Sequence, residues 1–190
     1  MEQRAIGFIS EEEYLARERV SEGKYEYYEG EVFAMAGASR KHNLIVTNVI
    51  SELRSQLKKK PCRVYPSDMR LKTEATGLYT YPDVMVVCGK ELFGDENMDT
   101  LLNPDVIIEV LSDSTESYDR GDKFRNYRTL KSLNTYLMIS QNSRRMEMYT
   151  VNKDGSWTLT EADDDRPLMI LESIGCDLKL DEIYDKTEDD

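Results

Sequence analysis

One histidine and three cysteines are all the imidazole and thiol groups in this chain of 190 residues. A Ser- or Cys-based triad would depend wholly on His42, and no Gly-x-Ser-x-Gly elbow occurs. Cys62, Cys88 and Cys176 are odd in number and include no close pair, which argues against both a disulfide framework and a zinc ribbon. A Gly-rich phosphate loop of either the Walker or the dinucleotide pattern is missing as well. No apolar run approaches the roughly 20 residues of a spanning helix. Met1 to Phe8 lacks the basic and apolar stretches of a secretory leader. The expectation is a soluble, cytoplasmic protein without a membrane partner, folded as one domain over residues 1–190.

Positive charge is also in deficit, with 25 Lys and Arg against 37 Asp and Glu, a net of −12. That excludes a basic coat protein or a polybasic membrane binder as the simple reading. The deficit is uneven. Residues 1–31 hold 9 acids and 4 bases, and residues 161–190 hold 12 acids and 3 bases, leaving 16 acids and 18 bases between them. The centre is therefore nearly neutral, and an acidic tail runs from about 178 to 190. Two basic clusters stand in the centre, Lys58–Lys60 with Arg63, and Arg120, Lys123, Arg125, Arg128 and Lys131. They read either as solvated helix faces or as a phosphate-binding surface.

What the chain does contain is patterned. Ser10 to Glu13 fits a capping box for a short helix to about Val20. Tyr25 to Met35, broken at Gly30, reads as a hairpin. Ser39 offers an N-cap to a helix from Arg40 to Leu57, where Ile45, Val49, Leu53 and Leu57 recur every four positions on one face. Strands are expected at 62–65, 68–72, 81–88 and 105–111, the last apolar enough to be covered on both faces. Ser114 is the expected cap of a helix to about Leu130, followed by a buried strand at 135–140 and a hairpin around Asp154-Gly155. The tail is expected to pack only through Leu178, Leu180, Ile183 and Tyr184. The order from 40 to 140 is α/β with a mixed sheet and helices on its faces.

Two acids interrupt the buried strands. Asp83 stands in Tyr81-Pro82-Asp83-Val84, and Glu109 in Ile107-Ile108-Glu109-Val110-Leu111. Two ionised carboxylates within ~4 Å repel by about 4 kcal/mol at an effective dielectric near 20. A divalent cation with hard oxygen ligands removes that cost; the alternative is that each acid pairs with an arginine or reaches water. Lys123, 14 residues beyond Glu109, could fold back toward them on its helix to orient or deprotonate a water, with Gly121 permitting close approach, or simply face solvent. His42 lies in the first turn after Ser39, where free amides favour a phosphate; it reads as a metal ligand, a substrate contact or a surface cap. Alternation aims Glu29 and Glu31 at one face of the hairpin and Glu26 at the other.

With these residues on the page, the chain resembles the Uma-type restriction endonucleases, a family of the PD-(D/E)XK nuclease superfamily, over about residues 8–185. The resemblance is carried by Tyr25-Glu26-Tyr27-Tyr28-Glu29-Gly30-Glu31, Ser39 to His42, Tyr81-Pro82-Asp83-Val84, and above all the run Glu109 to Phe124. It implies a restriction-endonuclease-like α-β-β-β-α-β core, to which the N-terminal helix and hairpin and the C-terminal β-hairpin read from the residues are added. It implies magnesium or manganese held by Asp83, Glu109 and the Val110 carbonyl, and DNA as the partner. The superfamily's usual lysine, two positions after the Glu, is Leu111 here, which passes the catalytic role to Lys123. The family's Ser-Pro-Ser-Thr turn is Ser112-Asp113-Ser114-Thr115 in this chain. His42 and Glu31 match motif positions and are expected as metal or substrate contacts, with Arg40, Lys41, Arg120 and Arg125 contacting nucleic acid. Cleavage of two strands needs two sites and points to a homodimer. The rival expectation is a nuclease-fold module that binds nucleic acid or protein without catalysis.

Overall fold

The computed structural model describes residues 8–188; Met1–Gly7, where a leader was sought, lie outside the described residues. Helix α1 (Glu11–Glu18) starts as its capping box dictates, the Ser10 side chain accepting from the Glu13 amide. Strands β1 (Tyr25–Tyr28) and β2 (Glu31–Ala34) follow as a hairpin, whose turn places Glu29 and Gly30 at positive φ. Helix α2 (Arg40–Leu57) buries Ile45, Val49, Leu53 and Leu57, the four-residue repeat of its sequence.

Strand β3 (Cys62–Pro66) is followed by β4 (Arg70–Thr73), β5 (Leu78–Thr80), β6 (Val84–Cys88), the short β7 (Thr100–Leu101) and β8 (Val106–Leu111). The strand expected at 81–88 thus begins only at Val84, and β5 precedes it as a separate strand. Pro82 has no amide to give a ladder, and the chain crosses there from one sheet to another, so that Asp83 sits in the crossing rather than inside a strand. Beyond β8, α3 (Glu116–Tyr118) runs through a π-helical turn (Asp119–Lys123) into α4 (Phe124–Tyr127). The N-cap is Thr115, without a side-chain cap bond, and not Ser114. Then come β9 (Thr135–Ser140), β10 (Met146–Val151), β11 (Trp157–Ala162), the hairpin β12 (Leu168–Leu171) and β13 (Cys176–Lys179), and α5 (Leu180–Ile183).

Six strands form the central mixed sheet in the order β11-β10-β9-β8-β6-β3, with β8 and β9 parallel and the other pairs antiparallel. Alternate residues of β8 face opposite layers. Val106, Ile108 and Val110 meet α2 and the hairpin β12–β13, while Ile107 and Leu111 meet Phe124 and Tyr127. A second sheet, β2-β1-β5-β4-β7, packs on this latter side through Leu71, Leu78 and Leu101. The α-β-β-β-α-β order is α2, β3, β6, β8, the broken helix and β9. Glu109 therefore points between the broken helix and the second sheet.

Over its described residues, to Glu188, the acidic tail is folded, and Thr187 is buried besides the four residues expected. Leu178, Leu180, Ile183 and Tyr184 are buried as expected, and the β12–β13 hairpin adds Met169, Leu171, Ile174 and Cys176 to the same core. Gln56 of α2 exchanges two hydrogen bonds with the backbone of Asp177, and the Lys60 ammonium caps the carbonyls of Ile174 and Gly175. Among the described residues no helix is long and apolar enough to cross a membrane.

The cysteines overturn the expectation drawn from spacing. Cys62 on edge strand β3 stands directly opposite Cys88 on β6, and the two are joined in a disulfide; Cys176 is free and buried. A separation of 26 residues hides a cross-strand pair that the fold brings together. Closing a loop of that length stabilises by about 3 kcal/mol in the chain-entropy model. Reduction is therefore expected to lower the urea-unfolding free energy by about 2–4 kcal/mol. Equal curves with and without a reductant, after alkylation confirms that Cys62 and Cys88 are free, would refute that contribution.

Candidate active site

The crossing at Pro82 brings Asp83 level with Glu109 on the neighbouring strand, since Val84 pairs with Ile108. Each acid is held by the other's strand. The Val110 amide donates to Asp83 Oδ2 at 2.7 Å, and the Asp83 amide donates to Glu109 Oε2 at 3.3 Å. The outward oxygen of Asp83 lies 3.0 Å from His42 Nε2, on the first turn of α2. Glu109 Oε1 accepts from the Tyr127 hydroxyl at 2.8 Å and lies 3.0 Å from Lys123 Nζ. Both acids open into one cleft of about 710 Å³, at the junction of the central sheet, the second sheet, α2 and the broken helix.

Lys123 is buried, not a surface charge. The π turn keeps Asp119, Lys123 and Tyr127 on one buried line of the broken helix, a distortion often found at functional positions. Gly121 faces open space, so the close approach does not come from that residue. Besides Glu109, the ammonium lies 3.2 Å from Asp119 Oδ1 and 3.6 Å from Glu26 Oε1. Burial works to lower its pKa, but the carboxylates of Glu109, Asp119 and Glu26 outweigh it and hold Lys123 well above the ordinary lysine range. Lys123 is thus a charged donor at neutral pH and not a group that takes a proton from water. Glu109 moves up to about 8, chiefly through burial, against the pull of Lys123 and with the push of Asp119 and Asp83. Leu111, at the usual lysine position, is core on the same face of β8 as Glu109.

The hairpin contributes Glu26, not Glu31. Glu26 is buried, accepts from the Thr80 hydroxyl and faces Lys123, whereas Glu31 is exposed on β2 opposite Tyr28 and stays outside the cleft lining. Alternation put Glu31 on the face opposite Glu26, but the register pairs Glu26 with Phe33 and Tyr28 with Glu31, so the two acids share a face and their places along the hairpin decide which reaches the cleft. Tyr118 also lines the cleft, its hydroxyl raised by burial and by its contact with Glu26. A stronger sequence signal for Glu26 exists in hindsight: it is an acid between Tyr25 and Tyr27 in an aromatic strand.

The basic residues expected to meet nucleic acid are largely engaged. Lys41 pairs with Glu188 at 2.8 Å, Arg125 with Asp122 at 2.9 Å, and Arg120 with Glu116 at 2.8 Å and also with Glu147. Arg40 is exposed at the start of α2. None of the four lines the cleft, where Lys24 and Lys123 face the carboxylates of Glu26, Asp83, Glu109, Asp113 and Asp119. Even with Glu109 holding a proton, four carboxylates outnumber two ammonium groups in this partly buried space, and hard oxygen donors are the set that magnesium or manganese takes. The donor set fits a divalent ion. Among the described residues no three His, Cys, Asp or Glu side chains are grouped as ligands, so two carboxylates need a main-chain carbonyl and water or substrate to complete a shell.

Comparison with known proteins agrees with this layout. A crystal structure from Anabaena variabilis ATCC 29413, described as a putative nuclease belonging to DUF820, superposes with a TM-score of 0.77 over 95% of this chain and 99% of that one at 20% identity. The fold is therefore the mixed α/β, restriction-endonuclease-like one. Two Synechocystis proteins, both described as uncharacterized, are also similar. Slr1290 is 36% identical over 93% of this chain and 91% of its own length, and sll1609 is 39% identical over 78% and 84%. The model of the Uma2 family, described as "Putative restriction endonuclease", matches residues 11–181. From α1 to the start of α5 the chain follows that model, and it belongs to the Uma2 family.

Proposed function

We propose that the protein is a metal-dependent endonuclease that hydrolyses phosphodiester bonds in DNA, with magnesium or manganese as its ion. The observation that carries this reading is the buried Lys123 ammonium 3.0 Å from Glu109 Oε1, beside an Asp83–Glu109 pair that opens into one cleft. Asp83, Glu109 and the Val110 carbonyl would hold the ion, and an ion there supplies charge to polarise the phosphate and acidify a water. Lys123 keeps its proton at Nζ, directs a lone pair of the attacking water and offsets charge gathering on the phosphate oxygens. Tyr127 and the Asp83 amide hold Glu109 in place, and His42 orients Asp83. Glu26 and Asp119 keep the ammonium charged.

A nuclease-fold module without catalysis is the second reading. It is favoured by Leu111 at the usual lysine position and by the ion pairs that engage Lys41, Arg120 and Arg125. Incubation of supercoiled and linear DNA with the protein and manganese separates the two. Cleavage that chelation stops supports the enzyme, and binding without cleavage supports the module.

The raised Glu109 fixes the pH dependence of ion binding. A carboxyl with its pKa near 8 must release a proton to ligate a cation. Manganese affinity is therefore expected to rise with pH from about 6 to about 8 and then level off. Calorimetry in buffers of different ionisation enthalpy should count about one proton released per ion at pH 7. Affinity independent of pH across that range would remove Glu109 from the ligand set.

A further inference from the structure

The first turn of α2 carries His42 but little of the helix's buried face, which begins at Ile45. Something else must fix the imidazole. Ser39 accepts from the His42 amide at 3.0 Å, as an N-cap does, and its hydroxyl donates onward to Gln141 Oε1 at 2.6 Å. Gln141 begins the turn after β9, and its Nε2 donates to the Leu111 carbonyl at 2.8 Å, at the end of β8. On the other side His42 Nε2 lies 3.0 Å from Asp83 Oδ1, and Asp83 Oδ2 accepts from the Val110 amide. These contacts close a circuit: β8, Asp83, His42, Ser39, Gln141, and back to β8.

Direction runs through it consistently. A carboxylate only accepts, so Nε2 of His42 carries the proton. The single hydroxyl proton of Ser39 is committed to Gln141, which leaves its lone pairs for the His42 amide. The Gln141 amide alone supplies both an acceptor for Ser39 and a donor for Leu111. The turn that bears Gln141 is itself held from below, because the Tyr184 hydroxyl lies 2.7 Å from the Ser140 carbonyl and 3.0 Å from that of Arg145.

We infer that Gln141 is a positioning residue of the active site, which sets the place of His42 and, through it, the outward oxygen of Asp83. The catalytic part of this inference rests on the nuclease reading above; the structural part does not. His42 is the only imidazole in the chain, so its ring nitrogens give a single unambiguous signal.

The test compares wild type, Gln141→Ala and Gln141→Glu, with Asp83→Ala as the reference for a broken His42 contact. In metal-free, 15N-labelled protein at fixed pH, wild type should show Nε2 as the protonated nitrogen. Gln141→Ala should move that signal toward tautomer averaging, as Asp83→Ala does. Gln141→Glu keeps the acceptor for Ser39 and loses the donor to Leu111, and should give a smaller movement. With DNA and manganese, folded Gln141→Ala should lose about 10–100-fold in kcat with KM little changed, the usual effect of a group that orients a ligand. An Nε2 signal unmoved in Gln141→Ala overturns the circuit, and a moved signal with unchanged kcat overturns the positioning role. If wild type cleaves no DNA, the nuclease reading fails, and the nitrogen signal still decides whether Gln141 holds His42.

Discussion

Lys123→Met is expected to lower turnover by about 10²–10³-fold, the usual effect of removing one preorganised donor to a developing oxyanion. Methionine keeps the unbranched shape of the side chain to within one atom and removes the ammonium with its three donors. It also strips the ammonium from three buried carboxylates, Glu109, Asp119 and Glu26. Breaking a buried pair on one side costs about 3–5 kcal/mol when the remaining charge stays uncompensated. The carboxylates can reduce that cost by taking up protons, so their folded-state pKa values rise above the unfolded ones. The folded variant then binds more protons than the unfolded chain between those values, and its stability falls as pH rises through that window. Urea unfolding at pH 6 and pH 8 should show the variant losing more at pH 8 than wild type does. Turnover must be compared where both are folded. Lys123→Arg keeps the charge but replaces a compact ammonium by a planar fork in a pocket shaped for three convergent contacts, and should also fail. Full cleavage by folded Lys123→Met would leave Lys123 no part in the chemistry.

The sequence carries the elements with strong local signals. The Ser10 cap, the four-residue repeat of α2 and the apolar run of β8 each appear where the pattern puts them, because local geometry and burial agree there. Asp83 and Glu109 stood out as acids among apolar neighbours, which need a partner once buried, although Asp83 lies just before its strand and not in it. What was hidden depends on distance along the chain. The Cys62–Cys88 bond, the approach of Glu26 to Lys123 and the link from Ser39 to Gln141 join residues 26, 97 and 102 positions apart, and no periodicity reports such pairs. Ser114 as a cap failed for a different reason. The chain has adjacent hydroxyls at Ser112, Ser114 and Thr115, and they bond to one another, which leaves the choice of cap to the turn. Acidic composition likewise concealed the β12–β13 hairpin, whose alternate apolar residues are buried while their neighbours stay exposed.

Asp83→Asn should separate folding from ion binding more cleanly than any other change in the site. Asparagine has the same shape, and its oxygen can still accept from the Val110 amide at the position that Asp83 Oδ2 now holds. The substitution also removes a negative charge that pushes on Glu109. The new amide faces His42 Nε2, which accepts from it once the imidazole proton sits on Nδ1, so metal-free stability should stay level or rise slightly. Ion binding should not survive so well. Groups that merely orient a ligand are worth about 10–100-fold in metal affinity, so loss of a ligand itself should cost at least about 100-fold. At manganese 100 times above the wild-type Kd, mass action stabilises wild type by about 2.7 kcal/mol. The same concentration only matches the Kd of a variant weakened 100-fold, and stabilises it by about 0.4 kcal/mol. Thermal unfolding with and without manganese reads that difference directly, and DNA cleavage should fall to background in parallel. Equal stabilisation of wild type and Asp83→Asn by manganese would place the ion elsewhere, and residual cleavage by the variant would then belong to another site.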